Sequence, residues 1–220
     1  MFKKIYQMSL FFIFAVVLSG CQQQNPFENI YKVLEKAVAA EQTFAAQQEP
    51  IVLLEKEEKQ IYERITAIGM KDKEQVAILA DKAAEMADQR KNHMDLETKS
   101  LLASEEEFQS LPSLIKEVKD PKIKEIAQEL YQIMMERYDI HDDISKRYNE
   151  ALQLDKELYS MLKEENVQFE QLEEQIGKIN KAYELVLEVN KKFNDKTKEY
   201  NEKKLSLYRE SGLDIKIEEE

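Results

Sequence analysis

Chemistry in a protein starts from side chains that ionise, attack or ligate, and few of those here are arranged to act together. His93 and His141 are the only histidines. A di-iron bundle draws Glu-x-x-His pairs from its helices, but Arg90 and Tyr138 stand three residues before these two. The string Asp139-Ile140-His141-Asp142-Asp143 offers donors to a cation, with Met134-Met135 close by. The plainer reading is a solvated face beside Ile140 and Ile144, with methionine as core filler. No serine sits in a Gly-x-Ser-x-Gly turn, and no glycine-rich loop could cradle phosphate. Arg137 and Arg147 fall on a heptad stripe. There each pairs with an acid on a facing helix, or else meets a ligand carboxylate inside a bundle. No catalytic residue, metal or cofactor is implied.

One stretch is cationic against an acidic background. Residues 178–209 carry nine Lys and Arg and five Asp and Glu, in a chain whose net charge is -12. Lys191, Lys192, Lys196, Lys203 and Lys204 are the candidate contact for an anionic envelope polymer or for lipid headgroups. At about 100° per residue Lys192, Lys196 and Lys203 share a side, while Lys204 falls on the apolar stripe. The competing reading is a solvated helix face with salt links to acidic neighbours.

The sole thiol is Cys21, directly after Leu18-Ser19-Gly20. Before it stand the cationic Lys3-Lys4 and an apolar segment, 14 residues counted generously from Ile5 to Leu18. That is shorter than the ~20 residues of a transmembrane helix and suits a signal-peptide core. The string LSGC resembles a bacterial lipobox. The resemblance implies a diacylglycerol on the Cys21 sulfur and cleavage between Gly20 and Cys21. Residues 1–20 are then a lipoprotein signal peptide, and 21–26 a lipidated cysteine with a polar tether. Residues 27–211 form the domain, and 212–220 an acidic tail. Losing Lys3 and Lys4 makes the mature charge -14. Two acyl chains anchor stably where one is marginal.

The elements that must carry these residues read as helices throughout. Phe27, Ile30, Leu34, Ala37, Glu41 and Phe44 recur at helical spacing, and Ile51, Leu54, Glu58, Ile61, Ile65 and Ile68 resume it in a shifted phase. This predicts a helix over 27–68, kinked near Pro50 or split into two in series, with Gly69 as C-cap. A second helix opens at Lys71 or Asp72 and runs to about Ser110. Residues 111–120 form a linker with a short amphipathic turn. Asp120-Pro121 is a strong helix start. From there Ile123, Leu130, Arg137, Ile144, Ala151 and Leu158 recur every seven residues, with Ile126, Ile133, Ile140, Arg147, Leu154 and Met161 in the second heptad position. Asn166 is a candidate cap for the last helix, whose stripe runs from Phe169 to Leu207 and which ends at Gly212.

Heptads predict coiled-coil-like packing, and four arms of similar length with short connections predict an elongated antiparallel four-helix bundle, all-α. Heptad phase survives across residues 163–168, so the alternative is a continuous helix over 121–211 in a three-helix, spectrin-like arrangement.

Composition bounds the function. Only 4 Gly, 4 Pro and no Trp, with 35% charged residues and a mean hydropathy of -0.60, exclude a sheet-rich enzyme and an integral membrane protein. The acidic balance excludes nucleic acid as a general partner. Lipobox, tether and four heptad-rich segments, with ELYSMLKEENVQFEQLEEQIGKIN (157–180) the most evocative stretch, resemble the YkyA family of Gram-positive bacteria. The resemblance implies an all-helical, cell-wall-binding lipoprotein with no catalytic residue to carry over, and only Cys21 maps onto a family motif. The expected location is the extracytoplasmic face of the cell membrane. The expected partners are the bilayer, through diacylglyceryl Cys21, and cell-wall polymer or envelope proteins. Two other classes stand beside a non-enzymatic binding or scaffold role. One is a helical solute- or metal-binding lipoprotein. The other is an enzyme of envelope metabolism, which needs a deep polar pocket holding Arg137, Arg147 and His141.

Overall fold

The computed structural model describes residues 26–212. The expected leader 1–20 with Gly20, the expected lipidation site Cys21, the expected tether to residue 25 and the tail from 213 lie outside the described residues. Six helices follow in order: α1 (Pro26–Ala40), α2 (Gln42–Ile68), α3 (Lys73–Phe108), α4 (Leu111–Glu117), α5 (Pro121–Met161) and α6 (Phe169–Glu210). A 3₁₀ turn, Gly69–Lys71, joins α2 to α3. Four long arms form an antiparallel bundle: α1 and α2 in series, then α3, α5 and α6. The 41 residues of α5 span about 60 Å. Pro26 and Glu210 lie at one end, the base, where Lys122 pairs with Glu210 at 2.7 Å. The 3₁₀ turn and residues 162–168 form the opposite end, the tip.

Local chemistry sets the boundaries. Gly69 has φ 59°, a left-handed value that a Cβ disfavours, and its N–H donates to the Ile65 carbonyl to close α2. The Asp72 side chain accepts the Gln75 N–H and opens α3. Asp120 accepts the Ile123 N–H ahead of Pro121, the first residue of α5. Leu111 and Ile115 of α4 turn inward and plug the base.

Three expectations change. The first arm breaks at Glu41 and not at Pro50, which lies inside a continuous α2. The cause is Ser100 of α3. Its Oγ accepts the Phe44 N–H at 2.9 Å and donates to the Ala40 carbonyl at 2.6 Å. A hydroxyl thus replaces the direct bond between those two backbone groups, and a side chain in the ladder bends a helix. Second, residues 162–168 leave the helix, so α5 and α6 are separate and the three-helix alternative falls. Third, the cap of α6 is Gln168 rather than Asn166. Gln168 and Gln171 form a reciprocal capping box.

Of the seven-residue positions Leu130, Arg137, Ile144, Ala151 and Leu158 are buried, and Ile123 at the helix start is half-buried. Of the second heptad set only Ile133 is buried, while Ile126, Ile140, Arg147 and Leu154 are half-buried. The deep positions next to the first set are instead Ala127, Met134, His141, Tyr148 and Asp155. Ile133→Asp is therefore expected to cost about 3 kcal/mol or more. Ile179→Asp, at a half-buried position, should cost much less. Urea unfolding of the two variants measures the difference.

The interior holds two apolar clusters. The larger fills the base and middle around Leu34, Phe108, Leu111, Leu130, Met134 and Leu207. The smaller fills the tip with Ile61, Ile65, Val76, Leu79, Ala83 and Met86, joined by Tyr159. Between and within them lie charged side chains.

Candidate functional site

The inward-facing ionisable groups form a ladder along the bundle axis. Nearest the base, Lys204 of α6 is 7% exposed and lies 3.5 Å from Glu35 of α1. Tyr208 donates to the same carboxylate at 3.1 Å. Burial pulls the Lys204 ammonium below the usual lysine range, and Glu35 opposes that pull.

One level up, Glu41 occupies the break between α1 and α2, which frees its side chain to enter the bundle. Arg137 of α5 grips it with two parallel bonds of 2.8 Å, the geometry in which a guanidinium holds a carboxylate most strongly. The remaining Arg137 edge donates to Thr197 of α6 at 2.9 Å, and the guanidinium lies 4.6 Å from the Phe193 ring centre. Ser104 of α3 donates to Glu41 at 3.0 Å and is bonded to the Tyr138 hydroxyl at 2.7 Å. Burial acts to lower the Arg137 pKa, but Glu41 outweighs it and holds the cation above its ordinary value. This rung ties all four arms together.

Next, His141 Nε2 lies 3.1 Å from Glu97 Oε1, with Phe44 and Phe193 against the imidazole at 5.7 Å. The last rung centres on Arg90 of α3. It contacts Glu58 at 2.5 Å, Tyr183 at 2.8 Å, Tyr148 at 2.9 Å, Glu55 at 3.3 Å and Asp155 at 3.6 Å. Tyr159 donates to Glu58 at 2.6 Å, Tyr148 to Glu55 at 2.9 Å, and Tyr183 to Asp155. Burial, with Glu58 adding like charge, pushes the Asp155 carboxyl up to about 7.

The residues singled out from sequence scatter. Arg137 is buried, as an arginine on the stripe should be, but Arg147 turns outward to Asp143 of its own helix at 2.9 Å. His93 bonds Gln47 at 2.7 Å on a different level from His141. Arg137, Arg147 and His141 line no common pocket. Both buried guanidiniums are engaged by protein groups. Among the described residues no three His, Cys, Asp or Glu side chains converge as a metal ion requires.

The lysine surface also divides. Lys191 and Lys192 are exposed, the latter paired with Glu188 at 2.8 Å. Lys196 bridges to Glu136 of α5 at 2.8 Å and to Glu199 at 2.7 Å. Lys203 reaches Glu129 of α5 at 2.5 Å. Lys204 is withdrawn into the bundle, as its stripe position required. Much of the local positive charge is thus met by acids of α5 and α6, and Lys196 and Lys203 help to dock the two helices.

Sequence reasoning missed Asp155, Glu97, Tyr148 and Tyr159 as interior partners. A signal for part of the ladder was present. Glu41, Glu58, Arg137 and Lys204 occupy apolar stripe positions, Arg90 continues the α3 stripe of Val76, Leu79, Ala83 and Met86, and Tyr183 lies on the stripe of α6. Opposite charges on the stripes of different arms must find one another.

The profile of a family described as "Putative cell-wall binding lipoprotein", YkyA, matches residues 25–210. The "Uncharacterized lipoprotein YkyA" of Bacillus subtilis (strain 168) is 33% identical over 210 residues, covering 96% of this chain and 94% of that protein. A 1.6 Å crystal structure of a conserved protein of unknown function from Staphylococcus aureus superposes with a TM-score of 0.74. It covers 86% of this chain and 98% of that one at 18% identity, a likeness of fold.

Proposed function

The chain belongs to the YkyA family, and on that premise we propose that it is a lipid-anchored lipoprotein of the extracytoplasmic membrane face. It binds or scaffolds the cell wall or envelope proteins without catalysing a reaction. The observation that carries this reading is that the buried arginines of the bundle are spent on internal carboxylates and tyrosines. What such a protein offers a partner is its outer surface. Residue 26 lies at the base, so an anchor at Cys21 leaves the arms, about 60 Å long, to carry that surface away from the bilayer. The relative's name, lipoprotein, and the family's description agree with this placement.

An electrostatic contact with anionic wall polymer has Lys191 and Lys192 as its most exposed cations. Reversing both to Glu leaves the Lys196 and Lys203 links to α5 intact, so the fold is kept. Exposed contacts are individually weak and salt-screened. Wild-type protein is expected to co-sediment with purified walls at low salt and not at high salt, and Lys191→Glu with Lys192→Glu should lose most of the low-salt binding. Binding that survives both the reversal and high salt excludes this surface.

A further inference from the structure

The tip half of the bundle is two helical hairpins, α2–α3 and α5–α6, laid side by side. Its apolar cluster comes almost wholly from the first hairpin. Among the described residues Tyr159 is the buried member that α5 contributes, and α6 contributes none. The α6 residues at this level, Leu172, Ile176 and Ile179, are only half-buried. Two exposed ion pairs reach α3, Lys156 of α5 with Asp88 and Lys163 of the segment after α5 with Asp81, and such pairs hold little. Lys73 of α3 also donates to the Glu165 carbonyl at 2.6 Å, and Leu158 of α5 is buried. The Arg90 rung is the buried polar part of the junction, and it joins α2 to α5 directly.

That rung is unbalanced. Glu55 and Glu58 face it from α2, Arg90 from α3, Tyr148, Asp155 and Tyr159 from α5, and Tyr183 from α6. One guanidinium meets three carboxylates, so full ionisation leaves uncancelled negative charge between the hairpins. We propose that the Arg90 rung is a proton-operated latch, in which a proton held on Asp155 keeps α2 docked against α5 and its loss loosens the tip.

The sign follows from geometry and burial together. Asp155 binds its proton more tightly in the closed bundle than in an opened tip, since burial and Glu58 push its carboxyl up to about 7. The latch is fully set below the ordinary aspartate range, and its hold is lost as pH rises from there to about 7. The proton is exchanged with solvent and no other group is consumed.

Hydrogen exchange on the full chain in detergent tests this directly, after correction for the intrinsic pH dependence of exchange. Between about pH 6 and about pH 8, one proton of linkage should raise the opening equilibrium of residues 54–68 and 155–161 about tenfold. Asp155→Asn, a neutral mimic of the closed state, should abolish that change. A tenfold change that persists in Asp155→Asn overturns the latch. If that variant does not fold, ¹³C titration of the wild-type Asp155 carboxyl decides. A midpoint near neutrality, moved down by Glu58→Gln, supports the proposal, and a wild-type midpoint in the usual carboxylate range overturns it.

Discussion

Arg137→Met is expected to lower the stability of the bundle by about 3–5 kcal/mol, the cost of leaving a buried carboxylate without its counter-ion. The substitution fits the space, since methionine is long, unbranched and apolar. What it removes is the two-pronged grip on Glu41, leaving that carboxylate beside the Ser104 hydroxyl. Glu41 cannot swing into water without undoing the break between α1 and α2, because Ser100 fixes the backbone on either side. Arg137→Lys should fall between, since an ammonium cannot reproduce parallel bonds to both oxygens or the broad contact with Phe193. The double variant Glu41→Met, Arg137→Met should recover much of the loss, because it deletes both charges and keeps the volume. Urea unfolding of the four proteins measures the coupling. Additive losses would mean that the pair does not act as a unit.

The fold was legible because apolar spacing survives in every arm, and because Gly69, Asp72 and Asp120-Pro121 have local chemistry that acts without tertiary help. Pro50 misled for the converse reason. Its local rule is real, but the packed α2 tolerates it, while the actual break at Glu41 is made by Ser100, 60 residues from Ala40 in sequence. No local rule detects a hydroxyl arriving from another helix. The same limit hid half the ladder. Arg137 and Glu41 could be suspected from their stripe positions. Asp155, His141 and Tyr148 could not, because the second heptad set offered a more apolar face one residue away and took their place in the reading. The five lysines were legible as a charge excess. Which of them face solvent depended on Glu129 and Glu136, 60 or more residues earlier in the chain, and on Glu35.

A chain with a net charge of -12 is repelled by polyanionic polymer, and the ion pairs along α6 leave little uncompensated positive charge to oppose that. Binding through Lys191 and Lys192, as proposed, is expected to be weak and multivalent, and an anchor beside the wall would raise its effective concentration there. On that proposal the lipid is the dominant contribution to residence at the envelope, and the bundle surface the source of selectivity.

Cys21→Ser should therefore have the largest effect of any single substitution on where the protein resides. The change removes one sulfur atom at a position outside the described residues. On the proposed reading it deletes the attachment point of two acyl chains, worth about 0.8 kcal/mol per buried CH₂. The direct measurement uses a Gram-positive host whose wall is digested under osmotic support, followed by separation of protoplasts, wall digest and medium. Wild-type protein is expected to stay with the protoplasts, to enter detergent on partitioning and to be degraded by protease added outside. Cys21→Ser is expected to leave with the medium and the wall digest. Wild-type protein released with the digested wall, or a Cys21→Ser protein retained by protoplasts as fully as wild type, would contradict lipid anchoring at Cys21.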